Sequence, residues 1–286
     1  SGPTHSVGML ARARGATRVQ FAALGMLSGT WGAHIPSVKA HYALGEAVLS
    51  TVLLAAAIGA VLSLFIAGRV VGRLGARNTA AIAAVVMSLL LAATLEYPGL
   101  GLLLPSMLVF GAAMSLFDVS INTEGSELES VGGRAIMSNL HGMFSVGGMA
   151  GAALAAFLLW AGVAPRLQLF GVCAGIALLV LVTSRGMLET HAAAASADGH
   201  DKKAHFAWPR GLLLIIGLLI FAGMTAEGVM YDWCVLYLKQ DVGMPQAQAA
   251  IGYAVFSGAM ALSRFGGDYL RSHYAERSLL RVGATM

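Results

Sequence analysis

A chain of 286 residues that is 57% hydrophobic and only 11% charged cannot clothe a water-facing surface, because soluble domains carry roughly 25% charged residues. Its formal charge of +4 suggests nucleic acid less well than it suggests basic loops gathered on one side of a membrane. The two cysteines, Cys173 and Cys234, sit in or beside apolar runs with no disulfide framework or metal-ligand spacing, so packing is their expected role.

In chain order, residues 1–15 lack the apolar core and cleavage site of a signal peptide. They read as a trimmed end leading into a basic, cytoplasmic arm over 1–18. Eight apolar runs follow, each near the ~20 residues that an α-helix needs to cross a bilayer. They cover 19–38, 47–67, 78–95, 98–121, 136–161, 167–184, 211–238 and 246–265. The fold expected is an all-α membrane protein. Residues 19–184 form a six-helix bundle, 185–210 a polar central linker on the cytoplasmic side, and 211–286 a partial second bundle of two helices plus a basic loop. With the amino end inside, fifteen of the eighteen lysines and arginines fall on the cytoplasmic side. Only Lys39, Arg166 and Lys239 fall outside, a strong positive-inside split. Glycines four apart, Gly25/Gly29, Gly147/Gly151 and Gly171/Gly175, are expected to let helix backbones approach closely.

Ionisable side chains within such runs are costly and so are functional suspects. Trp31 and His34 lie three apart and share a helix face. Together they offer a flat ring surface and a donor or proton acceptor for a cavity wall; an interfacial role is the alternative. Glu227 and Asp232 lie in the seventh run with Tyr231 and Trp233. Glu227 is the candidate proton carrier, whereas Asp232 could simply mark the outer helix end. Asp118, Asn122 and His141 are candidates for a cavity floor. The competing arrangement is a gate in which Arg134 pairs with an acid. The Glu124–Glu129 cluster reads as a solvated loop.

The decapeptide GRVVGRLGAR, 68–77, joins two of these runs as a short basic loop. It echoes SRFGGDYLRSHYAER, 263–277. Both follow a span with a tryptophan and an ionisable group, then a lysine (Lys39 or Lys239), a glycine-containing outer loop and an apolar span. This parallel repeat, with its central linker, resembles the major facilitator superfamily of transporters. Gly68, Arg73, Gly75 and Arg77 match that family's signature loop. Gly72 stands where an acid is expected, and the echo carries Gly267-Asp268. The segments GTWGAHIPSVK, DVSINTEGSELE, GRAIMSNLHGMFSVGGMAGA and EGVMYDWCVLYL resemble the bacterial branch near the fucose-permease-type sugar symporters.

The resemblance implies a multi-pass protein of the bacterial inner membrane. It implies a monomer moving a small polar solute, sugar-like or another metabolite, by alternating access with proton coupling. No cofactor or metal is implied. It also implies twelve helices, of which eight are expected here, so the chain reads as truncated at its carboxyl end. A non-transporting membrane protein or sensor is the alternative. A polytopic enzyme built on His141 and Asp118 is disfavoured by the absence of a metalloprotease or nucleophile motif.

Overall fold

The computed structural model describes residues 5–189 and 208–286. Most of the expected linker at 185–210, and residues 1–4 of the basic arm, lie outside the described residues. Among those described, eight α-helices and no strand occur: α1 (Val7–His41), α2 (Glu46–Ala92), α3 (Leu100–Gly132), α4 (Met137–Trp160), α5 (Pro165–Ser184), α6 (Leu212–Gln240), α7 (Gln246–His273) and α8 (Glu276–Thr285). The first is capped by Ser6, whose hydroxyl accepts from Met9 N at 3.2 Å. The basic arm from residue 7 onward is therefore helical.

The 68–77 stretch is tighter than the expected loop. Helical geometry runs through it, and only Gly75 departs, at φ 79° and ψ 156°. Arginine, leucine and valine all fit a helix, so a single residue makes the break. Drawn straight, 47 residues would extend about 70 Å at 1.5 Å each. Instead the two ends meet, with Tyr42 Oη donating to Thr94 O at 2.7 Å. The chain doubles back at Gly75, where a positive φ favours glycine, and its two arms hold the second and third expected spans.

Two glycine seams set the helix crossings. On α1 and α4, a Cβ at Gly25 would strike Phe144 O and one at Gly147 would strike Ala22 O. Gly29 and Gly151 are equally confined, by Gly148 O and Met26 O. On α2 and α3, Gly59 faces Leu108 O and Gly111 faces Ala56 O. Such backbone-to-backbone contact supplies packing where no hydrophobic force acts between helices. Gly171 and Gly175 differ, since a Cβ at either would meet nothing within 4 Å.

Five helices among the described residues are long and apolar enough to cross a membrane: α2, α3, α4, α5 and α6. The reversal in α2 lets them account for six of the eight expected spans. By composition α1 and α7 fall outside this set. In α1 the polarity is shielded, because no residue from 19 to 38 is exposed. Thr17 and Thr30 donate to the carbonyls four residues back, Ala13 O and Met26 O, each at 2.7 Å, which satisfies the hydroxyls within the helix. The opposite case is α6, whose residues 212–226 are all exposed and overwhelmingly apolar. That surface needs a nonpolar surrounding.

Two further expectations are corrected. The Glu124–Glu129 cluster is not a solvated loop, because α3 continues through it to Gly132. Glu124 is fully buried and accepts from Leu188 N at 2.9 Å. Glu129 accepts from Ile136 N and Met137 N at 2.7 and 2.8 Å, satisfying amides at the start of α4 that lack partners inside the helix. Arg134 is exposed in the α3–α4 connection and makes no ion pair among the described residues, so the gate expected from it is not formed.

Candidate functional site

Six helices, from both sides of the 185–210 segment, converge on a cavity of about 250 Å³. Trp31 comes from α1, Phe110 from α3, Phe144 from α4, Tyr231 and Asp232 from α6, and Tyr253 from α7. The small residues Ala56 and Ala57 of α2 and Ser28 of α1 also line it. The rings brace one another. Trp31 and Phe110 have centroids 5.8 Å apart, and Tyr231 and Tyr253 are 5.0 Å apart. Gly32 makes room for this corner, because a Cβ there would run into the Tyr253 ring. Asp232 is the single acid on the wall, and no basic residue lines it.

Below the cavity toward the Gly75 end lies a charged cluster. Arg264 of α7 pairs with Glu227 of α6 at 3.1 Å. Its other terminal nitrogen donates to Ser145 Oγ at 2.6 Å and to His141 O at 3.2 Å, both on α4. Ser138 Oγ donates to Arg264 O at 3.0 Å, and Ser257 Oγ donates to Ser145 O at 2.7 Å. One guanidinium thus ties α4, α6 and α7 together.

Toward the Lys39 end the polar contacts are mostly neutral. His34 is buried, with Nδ1 3.1 Å from Ser37 Oγ and Nε2 3.1 Å from Gln168 Oε1 of α5. Gln246 Nε2 of α7 donates to Ser37 Oγ at 2.8 Å and to Ala33 O at 3.0 Å. Lys39 Nζ reaches Gln240 Oε1 at 3.0 Å, and Lys239 Nζ reaches Gln246 Oε1 at 3.3 Å. Arg166 pairs with Glu96 at this same end, so the three basic residues expected on one side do gather together.

The expected site residues therefore separate. Trp31, Tyr231 and Asp232 meet at the cavity. His34 leaves Trp31 for Gln168 and Ser37. Trp233 is half-buried and packs on the main core instead. Asp118 and Asn122 pair on α3, with Asn122 Nδ2 donating to Asp118 Oδ1 at 3.0 Å. His141 lies edge-on to Phe21, centroids 5.5 Å apart, and stays within electrostatic reach of Asp118 and Arg264. In the signature stretch, Gly68 and Arg73 are exposed, while Arg77 pairs with Glu189 at 3.3 Å. Gly267 is half-buried in α7, and the side chain of neighbouring Asp268 lies outside the described residues.

A family model for the Major Facilitator Superfamily matches residues 19–286. The chain belongs to that superfamily. Among curated proteins, this superfamily member is 35% identical over 268 residues to an uncharacterized MFS-type transporter of Yersinia pestis, covering 94% of this chain and 68% of that one. It is 31% identical over 262 residues to an uncharacterized transporter of Sinorhizobium fredii, covering 90% and 67%. It is also 27% identical over 280 residues to the membrane protein MosC of Rhizobium meliloti, covering 95% and 65%. The chain thus spans about two thirds of the length of these relatives. The family, and the first two relatives' names, are those of transporters rather than enzymes.

Sequence reasoning missed Arg264, counting it only among the basic residues of a loop. The signal was available, because Arg264 falls inside the apolar run 246–265 and intramembrane ionisable residues are suspects by default. Gln168 and Gln246 carried no such signal; their importance depends on which helix lies opposite.

Proposed function

We propose that the protein is a secondary transporter that moves a small polar solute across the bacterial inner membrane by alternating access, coupled to protons. The observation that carries this reading is the cavity at the junction of six helices from both sides of the 185–210 segment. A site shared by two groups of helices changes its access when one group rocks against the other. The seam between α4 and α7 includes polar contacts, from Arg264 and Ser257, that can exchange partners. The amino terminus is assigned to the cytoplasm because basic residues concentrate at the Gly75 end. The cavity's volume of about 250 Å³ limits the solute to a small one.

The Glu227–Arg264 pair supplies the proton-responsive element. Without the Glu227 charge the guanidinium would be left with Ser145 Oγ and the His141 carbonyl. The test is uptake of radiolabelled metabolites by the full-length protein in proteoliposomes with and without an imposed pH gradient. Gradient-driven uptake is expected, and Glu227→Gln should abolish the acceleration while leaving the protein folded. Uptake indifferent to both the gradient and Glu227→Gln would sink the proton-coupled form.

A further inference from the structure

We propose that the solute held in this cavity is a small organic cation bearing an ammonium group, a substrate class that rests on the transporter reading above. Trp31, Phe110, Phe144, Tyr231 and Tyr253 line the cavity from five helices. Aromatic faces attract a cation through their ring quadrupoles, with tryptophan the strongest. Asp232 is the one charged group on the wall, and it makes neither a hydrogen bond nor an ion pair among the described residues. The nearby guanidinium of Arg264 is committed to Glu227, Ser145 and the His141 carbonyl, so nothing in the site neutralises Asp232. A carboxylate held away from water without a partner is costly. A bound ammonium removes that cost.

The same wall suits a neutral sugar poorly. A sugar presents several hydroxyls, and each one buried without a partner is penalised. The cavity offers few groups to meet them. The Ser28 hydroxyl is already donated to Leu24 O at 3.0 Å. Tyr231 Oη lies beside Ser257, the Tyr253 hydroxyl adds one more group, and Asp232 provides the one anionic acceptor. One carboxylate and a few isolated hydroxyl and indole groups among five rings match one charged head better than a ring of hydroxyls. A volume of about 250 Å³ lies just under the usual range for ligand pockets and limits the molecule to a small one.

The experiment is calorimetric binding to the full-length protein in lipid nanodiscs. The probes are choline, its neutral isostere in which a quaternary carbon replaces the nitrogen, and glucose. Choline is expected to bind roughly tenfold or more tightly than its isostere. Asp232→Asn, which keeps the side chain's shape, should erase that preference while circular dichroism shows an unchanged helix content. Equal binding of choline and its isostere, failure of choline to bind, or a preference that survives Asp232→Asn overturns the proposal. If glucose binds and is transported while choline does neither, the cation assignment fails and the transporter reading stands. If choline binds in an Asp232-dependent way but no solute crosses a vesicle membrane, the site stands and the transporter reading fails.

Discussion

Helix α4 carries two seams of different character. Its α1 face is glycine against backbone: Gly147 and Gly151 leave no room for a side chain beside Ala22 O and Met26 O. Its α7 face also has glycines, but they accommodate side chains. Gly142 receives the Phe265 ring, and Gly148 receives Ser257 Oγ and the Tyr253 ring. Arg264 and Ser257 add polar contacts on the same side. Backbone contact is a matter of shape and is not released by turning one side chain. Rotatable groups can exchange partners at small cost. The α1 seam therefore makes a fixed unit, and the α7 seam makes a boundary at which helices can separate and reseat.

The largest test of that contrast is on the fixed side. Gly147→Leu places a branched side chain where Ala22 O already sits, and overpacking of this kind costs about 3 kcal/mol. Thermal unfolding in detergent should show a much lowered midpoint, or loss of the folded fraction. A near-native midpoint would mean that α1 and α4 can move apart, and the contrast would be lost.

A smaller effect is expected on the polar side. Arg264→Ala removes the ion pair and the contacts to α4, at about 1–2 kcal/mol given the modest worth of interhelical polar contacts in membranes. Uptake should fall far more than stability does. Combining it with Glu227→Gln should cost much less than the sum of the two, because the residues act as one pair. Additive losses would show that Arg264 and Glu227 work separately.

The smallest effect belongs to a helix outside both seams. Gly171→Ala in α5 meets open space, so its stability should change by less than about 0.5 kcal/mol. A loss as large as that of Gly147→Leu would show that glycine spacing, rather than the surface opposite, sets the cost.

That comparison also shows what could be read in advance. The apolar runs gave the helices and most of their bounds, because bilayer thickness fixes their length. The spacing of Gly25/Gly29 and Gly147/Gly151 does mark a close crossing. Gly171/Gly175 has the same spacing and no neighbour, since spacing names a smooth helix face and not what lies against it. Asp232 looked like a helix-end residue, and its place beside the aromatic rings depends on α1, α3 and α7 arriving there. Helical periodicity pairs His34 with Trp31, yet its partner across the bundle is Gln168, 134 positions away. Local pattern gives faces; which faces meet is decided by the whole chain.

Gly75 has ample space around it, so its constraint is one of backbone torsion and not of crowding. If that residue relaxed into the ordinary helical basin, two crossings would fuse into one rod more than twice as long as a bilayer core is thick. The count of crossings would change by one, and every later segment would emerge from the opposite leaflet. The backbone of a single residue thus sets the sidedness of all that follows it.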